Sequence, residues 1–193
     1  QVDFEDIYCE GITEITVEDM KYAKAMGTTI KLLASSRRYA GNRLHAIVAP
    51  CMLYPDHPLY NVNDVFNAIF VHGNVLGDAM FYGSGAGKLP TASAVVGDIV
   101  DAAKHLHTNI FTNWNSTPAK LRPLDQVSGR FFVRVKKEVA EEAKEVFENA
   151  EMICLDQLPE ECAFITTDMT QGEFCAKAEK LGDKVLAKIR VKD

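Results

Sequence analysis

Two stretches of the first half of the chain are predicted to be helices, one from its capping residues and one from the spacing of its apolar residues. The first, residues 16–26, has Thr16 as a candidate N-cap and Asp19 as the acid of a capping box, which predicts a short structural helix. The second follows Pro90, a residue suited to the first helical turn. Its apolar positions follow the spacing of one helix face: Ala92, Val95, Val96, Ile99, Val100 and Ala103. This spacing predicts a helix over 90–105 with one buried face.

Four β-rich runs lie between these two helices, at residues 28–36, 42–50, 64–71 and 75–83. The turn-like Tyr39-Ala40-Gly41 separates the first two and His72-Gly73-Asn74 joins the other two, so each pair is predicted to form a hairpin. Between the hairpins, residues 50–63 contain three prolines, which predicts an irregular surface loop. The simplest interpretation of these runs is a four-strand antiparallel layer.

The second half of the chain has the order βαββαβ. Residues 108–127 lose periodicity and contain two prolines, which predicts a linker between a domain at 1–107 and a domain at 128–193. The elements of the second domain are strand 130–135, a helix with an apolar face from Val139 to Ala150, strands 152–158 and 162–168, a helix capped by Thr170 and Glu173, and strand 184–191. The predicted fold class is therefore α+β: a mixed or antiparallel sheet with helices on one face, followed by a ferredoxin-like domain.

Charge and cysteine content narrow the classes of function. The 21 Lys and Arg against 27 Asp and Glu give a formal net charge of -6, so there is no basic field to hold nucleic acid or an anionic membrane. No apolar run approaches the roughly 18 residues that a membrane span needs. The five cysteines show neither a disulfide framework nor zinc-ribbon spacing, which favours a reducing, cytoplasmic location: Cys9, Cys51, Cys154, Cys162 and Cys175. Because the first residue is Gln rather than Met, we expect a piece of a longer protein.

Three alternating glycines form the most distinctive local feature, at a predicted junction between a strand and a helix: Gly83, Gly85 and Gly87. The cluster is not a P-loop, because Gly87-Lys88 is followed by Leu89. It is not a dinucleotide fingerprint either, since Lys88 stands where the last glycine belongs. Two interpretations stay open: the backbone approaches a ligand at a helix N-terminus, or the glycines permit tight packing of strand on helix.

The histidines and the possible nucleophiles show no pattern of a metal site or a catalytic site. His105 and His107 are the only closely spaced histidines, and their rings would point to different sides of a helix, so no metal site is predicted. His57 is either a proton shuttle or, as we prefer, a solvated loop side chain. No Ser, Cys or Lys has the setting of a nucleophile, and we predict no catalytic residue within these residues.

The segments EGITEIT at 10–16 and VFNAIFVHGNVLGDAMFYGSGAGKLPTASAVVGDIVDAA at 65–103 resemble the C-terminal part of homoserine dehydrogenase. The resemblance implies that residues 1–107 are a substrate and oligomerisation domain. It also implies NAD- or NADP-dependent interconversion of L-homoserine and L-aspartate 4-semialdehyde in the complete enzyme. In that family a Rossmann domain and the catalytic residues precede the point where this chain begins, so the isolated chain is expected to be inactive. The resemblance places Gly85, Ala86 and Gly87 at the nicotinamide end of the cofactor, with Gly87 as the main backbone contact.

The tail from 128 to 193 is similar to an ACT domain, the amino-acid-sensing module of many homoserine dehydrogenases. Its first strand and helix meet at Val135-Lys136-Lys137-Glu138, without the glycine that usually adjoins an effector, so a structural or assembly role competes with an amino-acid-sensing one. A third interpretation, an RNA-recognition module suggested by Phe164, is disfavoured by the acidic charge. Phe132 points away from Phe131, Val133 and Val135, so we expect another lobe or subunit to cover it, and we expect a homo-oligomer.

Overall fold

A computed structural model describes residues 1–113, 116–148 and 150–192. Its helices are α1 (Val17–Ala25), α2 (Lys88–Lys104), α3 (Ala140–Val146) and α4 (Gln171–Leu181). Its strands are β1 (Tyr8–Cys9), β2 (Thr29–Tyr39), β3 (Arg43–Leu53), β4 (Phe66–Gly73), β5 (Gly77–Ser84), β6 (Lys120–Leu121), β7 (Ser128–Lys136), β8 (Glu161–Ile165), β9 (Met169–Thr170) and β10 (Val185–Lys192). The predicted α+β class is confirmed, with a mixed sheet and helices.

Eight strands form the main sheet: β1, β2, β3, β6, β7, β8, β9 and β10. Strand β3 pairs with four of them. One edge of β3 pairs antiparallel with β2 over its whole length, as the predicted first hairpin requires. Its other edge is shared by three strands in succession: β6 near Arg43, β1 near Ile47 and β10 near Cys51. Beyond β10 follow β7 and β8. The beginning and the end of the chain therefore lie in one sheet.

The predicted four-strand antiparallel layer is wrong. Strands β4 and β5 form the expected second hairpin, but they make a separate two-stranded sheet and do not pair with β2 or β3 in the described residues. The edge of β3 that does not face β2 pairs instead with β10, whose Ile189 and Val191 are buried. The predicted loop at 50–63 begins later than expected, because β3 continues through Pro50 to Leu53 and its last residues are buried.

The sheet around β7 has an apolar cluster on each face. On one face α3 and α4 cover the cluster that includes Phe131, Val133, Val135, Phe164 and Phe174. On the other face α1 covers the cluster that includes Tyr22, Met52, Phe132, Ile189 and Val191. Phe132 is therefore fully buried and is covered by the chain's own first segment, which is the lobe and not the subunit of the two predicted alternatives.

The elements of the tail follow the predicted order βαββαβ, except that one predicted strand is shortened to a single bridge. The predicted strand 152–158 is only a bridge, in which Ile153 pairs antiparallel with Ala163 of β8. Helix α4 begins with the expected capping box between Thr170 and Glu173. The expected alternation of β10 holds for Ile189 and Val191, but a register shift near Val185 turns that side chain to the opposite face.

Helix α2 has the predicted periodicity but not the predicted burial. None of its residues is buried, and Val95, Val96 and Ile99 are 53%, 58% and 62% exposed. Residues 58–115 form a compact unit of their own, and within its described part, 58–113, the regular elements are the β4–β5 hairpin and this helix. A two-stranded hairpin is too small to bury a helix face by itself.

The compact units of the structure follow a different division from the predicted domains. One unit combines residues 1–57 with 116–193, and the other is 58–115. The family-based division into 1–107, 108–127 and 128–193 stays a prediction. Within 108–127, β6 pairs with β3, so that part of the linker belongs to the main sheet. Trp114, Asn115, Asn149 and Asp193, which fall in predicted segments, lie outside the described residues. No helix in the described residues is long and apolar enough to cross a membrane.

Candidate functional site

The glycine turn connects the end of β5 to the start of α2. The backbone N–H groups of Gly85 and Ala86 both donate to the carbonyl oxygen of Val65, at N···O distances of 2.9 and 3.2 Å. Val65 directly precedes β4, the partner strand of β5. The turn is thus fastened to its own hairpin, and these two N–H groups already have acceptors.

Gly85 lies directly beside the exposed side chain of Asn67, which would have to move if this residue carried a side chain. A Cβ atom at this position would lie 1.6 Å from Nδ2 and 2.7 Å from Cγ of Asn67, so the Asn67 amide fills the space that a side chain would need. At Gly83, by contrast, a Cβ atom would meet no atom within 4 Å. Asn67 belongs to β4 and not to the helix, so both interpretations of the glycine turn stay open.

Gly87 is required by its backbone conformation. Its φ of 117° and ψ of 150° lie in a region that is essentially restricted to glycine. The residue is the N-cap of α2, and its carbonyl accepts the N–H of Thr91 at 3.1 Å.

The first turn of α2 has polar groups to offer. Lys88 and Leu89 occupy positions whose N–H groups have no acceptor inside a helix, and neither has a protein acceptor among the described residues. Pro90 has no N–H group at all. The Lys88 side chain is exposed beside them. This end of the helix therefore carries partial positive charge and a full cation, the electrostatic setting in which an anionic or amide-oxygen edge of a ligand is favoured.

Comparison with known proteins gives a consistent result. The family model described as homoserine dehydrogenase matches residues 1–100. Homoserine dehydrogenase of Bacillus subtilis is 41% identical over 112 residues, which cover 58% of this chain and 26% of that protein. The Corynebacterium glutamicum homoserine dehydrogenase is 47% identical over 109 residues, which cover 54% of this chain and 24% of that protein.

The crystal structure of a homoserine dehydrogenase from Thiobacillus denitrificans superposes with a TM-score of 0.78 at 27% identity, covering 99% of this chain and 48% of that chain. The chain belongs to the homoserine dehydrogenase family. It spans about half the length of that solved homoserine dehydrogenase. The glycine turn lies within the matched residues, and the structural match also includes the tail, which the family model does not reach.

A buried ion-pair network in this chain was not predicted from the sequence. Arg134 of β7 donates from Nε to Asp19 at 2.9 Å, from Nη1 to Glu161 at 2.5 Å and from Nη2 to Thr16 Oγ1 at 3.0 Å. Arg134, Asp19 and Glu161 are all buried. The carboxylate of Asp19 also accepts the Thr16 N–H, as the capping box of α1 requires. The available signal was Arg134, which stands between Val133 and Val135 near the end of the run RFFVRV.

The remaining candidate side chains do not assemble into a second site. His57 is half-buried, and burial is the main cause that lowers its pKa, followed by the charge of Lys192. His45 is also half-buried, and its pKa is lowered by burial and then by the nearby cations of Lys192, Arg190 and Arg122. In the part of the chain that the structure describes, no three His, Cys, Asp or Glu side chains are grouped to hold a metal ion.

Proposed function

We propose that the chain is the C-terminal part of an NAD(P)-dependent homoserine dehydrogenase. The complete enzyme would interconvert L-homoserine and L-aspartate 4-semialdehyde, on the route to threonine, methionine and isoleucine, in the cytoplasm. Membership of the family supports the reaction class. The nicotinamide group supplies hydride transfer when it is bound, and the choice between NAD and NADP stays open.

The observation that carries the proposal is the conformation of the glycine turn at the start of α2. Gly87 would contact the cofactor through its backbone, because it has no side chain to block the approach. It also precedes the first turn of α2, where backbone N–H groups lack hydrogen-bond acceptors. Gly85 and Ala86 would contribute shape rather than hydrogen bonds, since their N–H groups are held by Val65. The residues present therefore fit an anionic or amide-bearing ligand edge at one place, the first turn of the helix.

Gly87→Val in a full-length homoserine dehydrogenase that carries these residues tests this role. We expect the KM for the nicotinamide cofactor to rise at least about tenfold, equivalent to about 1.4 kcal/mol, because a β-branched side chain resists this conformation and blocks close approach. Gly97→Ala is the matched control, since a Cβ at Gly97 meets no atom within 4 Å and alanine favours the helix. An unchanged KM in a folded Gly87→Val enzyme would mean that the glycine turn serves packing and does not contact the cofactor.

A second candidate function, amino-acid sensing by the tail, is favoured by a cleft of about 460 Å³ beside the junction of β7 and α3. Lys136 and Glu138 line it, and these offer a cation and a carboxylate to the two charged groups of a free amino acid. Against this, the N–H of Lys137 already donates to Glu160 and the Glu138 carboxylate pairs with Lys184 at 2.6 Å.

Thermal unfolding with threonine distinguishes the two roles of the tail. A ligand that binds only the native state raises the melting temperature by mass action, so a threonine-dependent rise supports a regulatory, oligomer-forming ACT module. If the melting temperature does not change, the tail keeps only its structural role. Allothreonine serves as the control for nonspecific effects of an amino acid.

We also propose that the chain forms a homo-oligomer, most simply a two-fold dimer. Within the described residues β2 pairs only with β3, so its other edge is open, and Leu32 on this strand is 49% exposed. Open strand edges are usually covered in native proteins. Sedimentation at micromolar concentration should show a species heavier than the 21.4 kDa chain, and a 21.4 kDa species alone would contradict the proposal.

A further inference from the structure

Two cysteines of the tail lie opposite each other on neighbouring segments. Ile153 and Ala163 form an antiparallel bridge in which each N–H donates to the carbonyl of the other, at 2.7 and 2.9 Å. Moving one residue along in each direction places Cys154 opposite Cys162. Since hydrogen-bonded and non-hydrogen-bonded pairs alternate in an antiparallel ladder, the cysteines occupy a non-hydrogen-bonded pair, where side chains lie closest.

The spacing of such a pair suits a disulfide. The Cα atoms of a non-hydrogen-bonded pair are about 4.5 Å apart, inside the range of about 4.4–6.8 Å that disulfides span. Cys162 is buried in the cluster under α3 with Val135 and Phe164, and its Sγ lies 3.9 Å from Sδ of Met152. Because side chains alternate along an extended segment, Cys154 and Met152 share that face.

The two thiols also differ in a useful way. Cys154 is exposed, whereas Cys162 is fully buried. Burial raises the pKa of the Cys162 thiol, and the charge of a Cys154 thiolate raises this pKa further, so the two thiols interact electrostatically. An exposed thiol beside a buried one gives an oxidant a single point of entry.

The other cysteines lack this arrangement. In the paired strands, Cys9 lies opposite Val48, and Cys51 lies between Lys31 and Arg190. Cys175 is on α4, where its sulfur accepts the Gln171 amide at 3.4 Å. Among the residue pairs of the described strands and bridge, only the Cys154 position faces another cysteine.

We propose that Cys154 and Cys162 form a reversible cross-strand disulfide when the chain meets an oxidised low-molecular-weight disulfide such as oxidised glutathione. The Cys154 thiolate attacks one sulfur of the small disulfide, whose S–S bond breaks and releases one thiolate. Cys162 then loses its proton and attacks the Cys154 sulfur, which expels the second small thiolate. The two protein thiols are oxidised, and the small disulfide is reduced to two thiols that take up the two protons.

The bond would fasten a weakly held segment. Residues 152–155 are joined to β8 by the single bridge at Ile153, in place of the full strand that the sequence predicted. A disulfide next to this bridge closes the short loop from 154 to 162 in the unfolded chain as well, which stabilises the native state. The oxidised chain should therefore melt at a higher temperature than the reduced chain.

Intact mass and peptide mapping of the chain in a glutathione redox buffer test the proposal. We expect the loss of two hydrogen atoms, a linked pair of peptides containing Cys154 and Cys162, and a rise in melting temperature that dithiothreitol reverses. Cys154→Ser, an exposed substitution that leaves the core intact, should abolish the mass loss. Cys9→Ser and Cys175→Ser are the matched controls and should retain it.

Two outcomes would overturn the proposal. In the first, all five cysteines remain open to alkylation in the unfolded oxidised sample. In the second, a stable mixed disulfide with glutathione persists on Cys154, which would show that Cys162 does not reach it.

Discussion

Tyr22 shows how far burial alone can shape a residue's chemistry. Its ring is fully buried on α1, with its centroid 5.9 Å from that of Phe132. Its hydroxyl has no hydrogen-bond partner among the described residues. Burial, followed by the charge of Glu161, raises the pKa of Tyr22 to about 12. The phenol is thus neutral at physiological pH and costs desolvation without a compensating hydrogen bond.

Tyr22→Phe should therefore stabilise the chain by about 1 kcal/mol, because it removes an unpaired buried hydroxyl and keeps the ring. Chemical denaturation measures the free energy of unfolding directly. Tyr22→Ala is the comparison, with an expected loss of about 3–5 kcal/mol from the cavity it leaves. Destabilisation by Tyr22→Phe would mean that the hydroxyl has a partner, and would refute this account of the core.

At the scale of elements, the Arg134 network holds α1 to the sheet of the tail. Thr16 and Asp19 belong to the capping box of α1, Arg134 to β7 and Glu161 to β8. The contacts of Arg134 with Asp19 and Thr16 therefore connect residues more than one hundred positions apart in the chain. The position of α1 depends on the tail as much as on its own capping.

Arg134→Met should destabilise the chain by about 3–5 kcal/mol, since it leaves the carboxylates of Asp19 and Glu161 buried without their cation. Thermal and denaturant unfolding measure the loss. Arg38→Met, at an exposed position of β2, is the matched control and should change stability by less than about 0.5 kcal/mol. Adding Glu161→Gln to Arg134→Met should recover part of the loss, and a failure of Arg134→Met to destabilise would show that the network carries no stability.

Local elements were predictable because their signals are local. The capping boxes at Thr16 and Thr170 and the turn at Gly41, which has a φ of 74°, are each decided by a few neighbouring residues. The pairing of β3 with β10 was not predictable, since it joins distant segments whose patterns do not name a partner. For the same reason the periodicity of α2 was identified correctly but its burial was not.

The candidate site was predictable to the same extent. The three glycines marked a place where the backbone needs freedom, and the structure gives Gly87 a conformation that only glycine adopts readily. The contribution of Asn67, which fills the space beside Gly85, and of Val65, which accepts two N–H groups, could not be inferred. Asn67 lies on β4 and Val65 directly precedes it. Their contacts with the glycine turn depend on the register in which β4 pairs with β5, which the sequence does not specify.

At the scale of the whole molecule, the described residues form a large mixed sheet and a separate, largely exposed unit. The main sheet buries apolar clusters on both faces, while the unit at 58–115 keeps the apolar face of α2 exposed. We propose that these residues supply the cofactor-side turn and the scaffold of a homoserine dehydrogenase, and that the dinucleotide fingerprint and the catalytic acid–base groups come from other parts of the complete enzyme.

The most direct measurement is the homoserine-dependent formation of reduced nicotinamide by the purified 193-residue chain, compared with a full-length homoserine dehydrogenase carrying the same residues. Both NAD and NADP are offered, and circular dichroism confirms that the chain is folded. We expect the full-length enzyme to reduce the cofactor and the 193-residue chain to give only the rate of the protein-free blank. Homoserine-dependent reduction by the 193-residue chain alone would contradict this proposal, because these residues would then have to supply the dinucleotide site and the catalytic groups themselves.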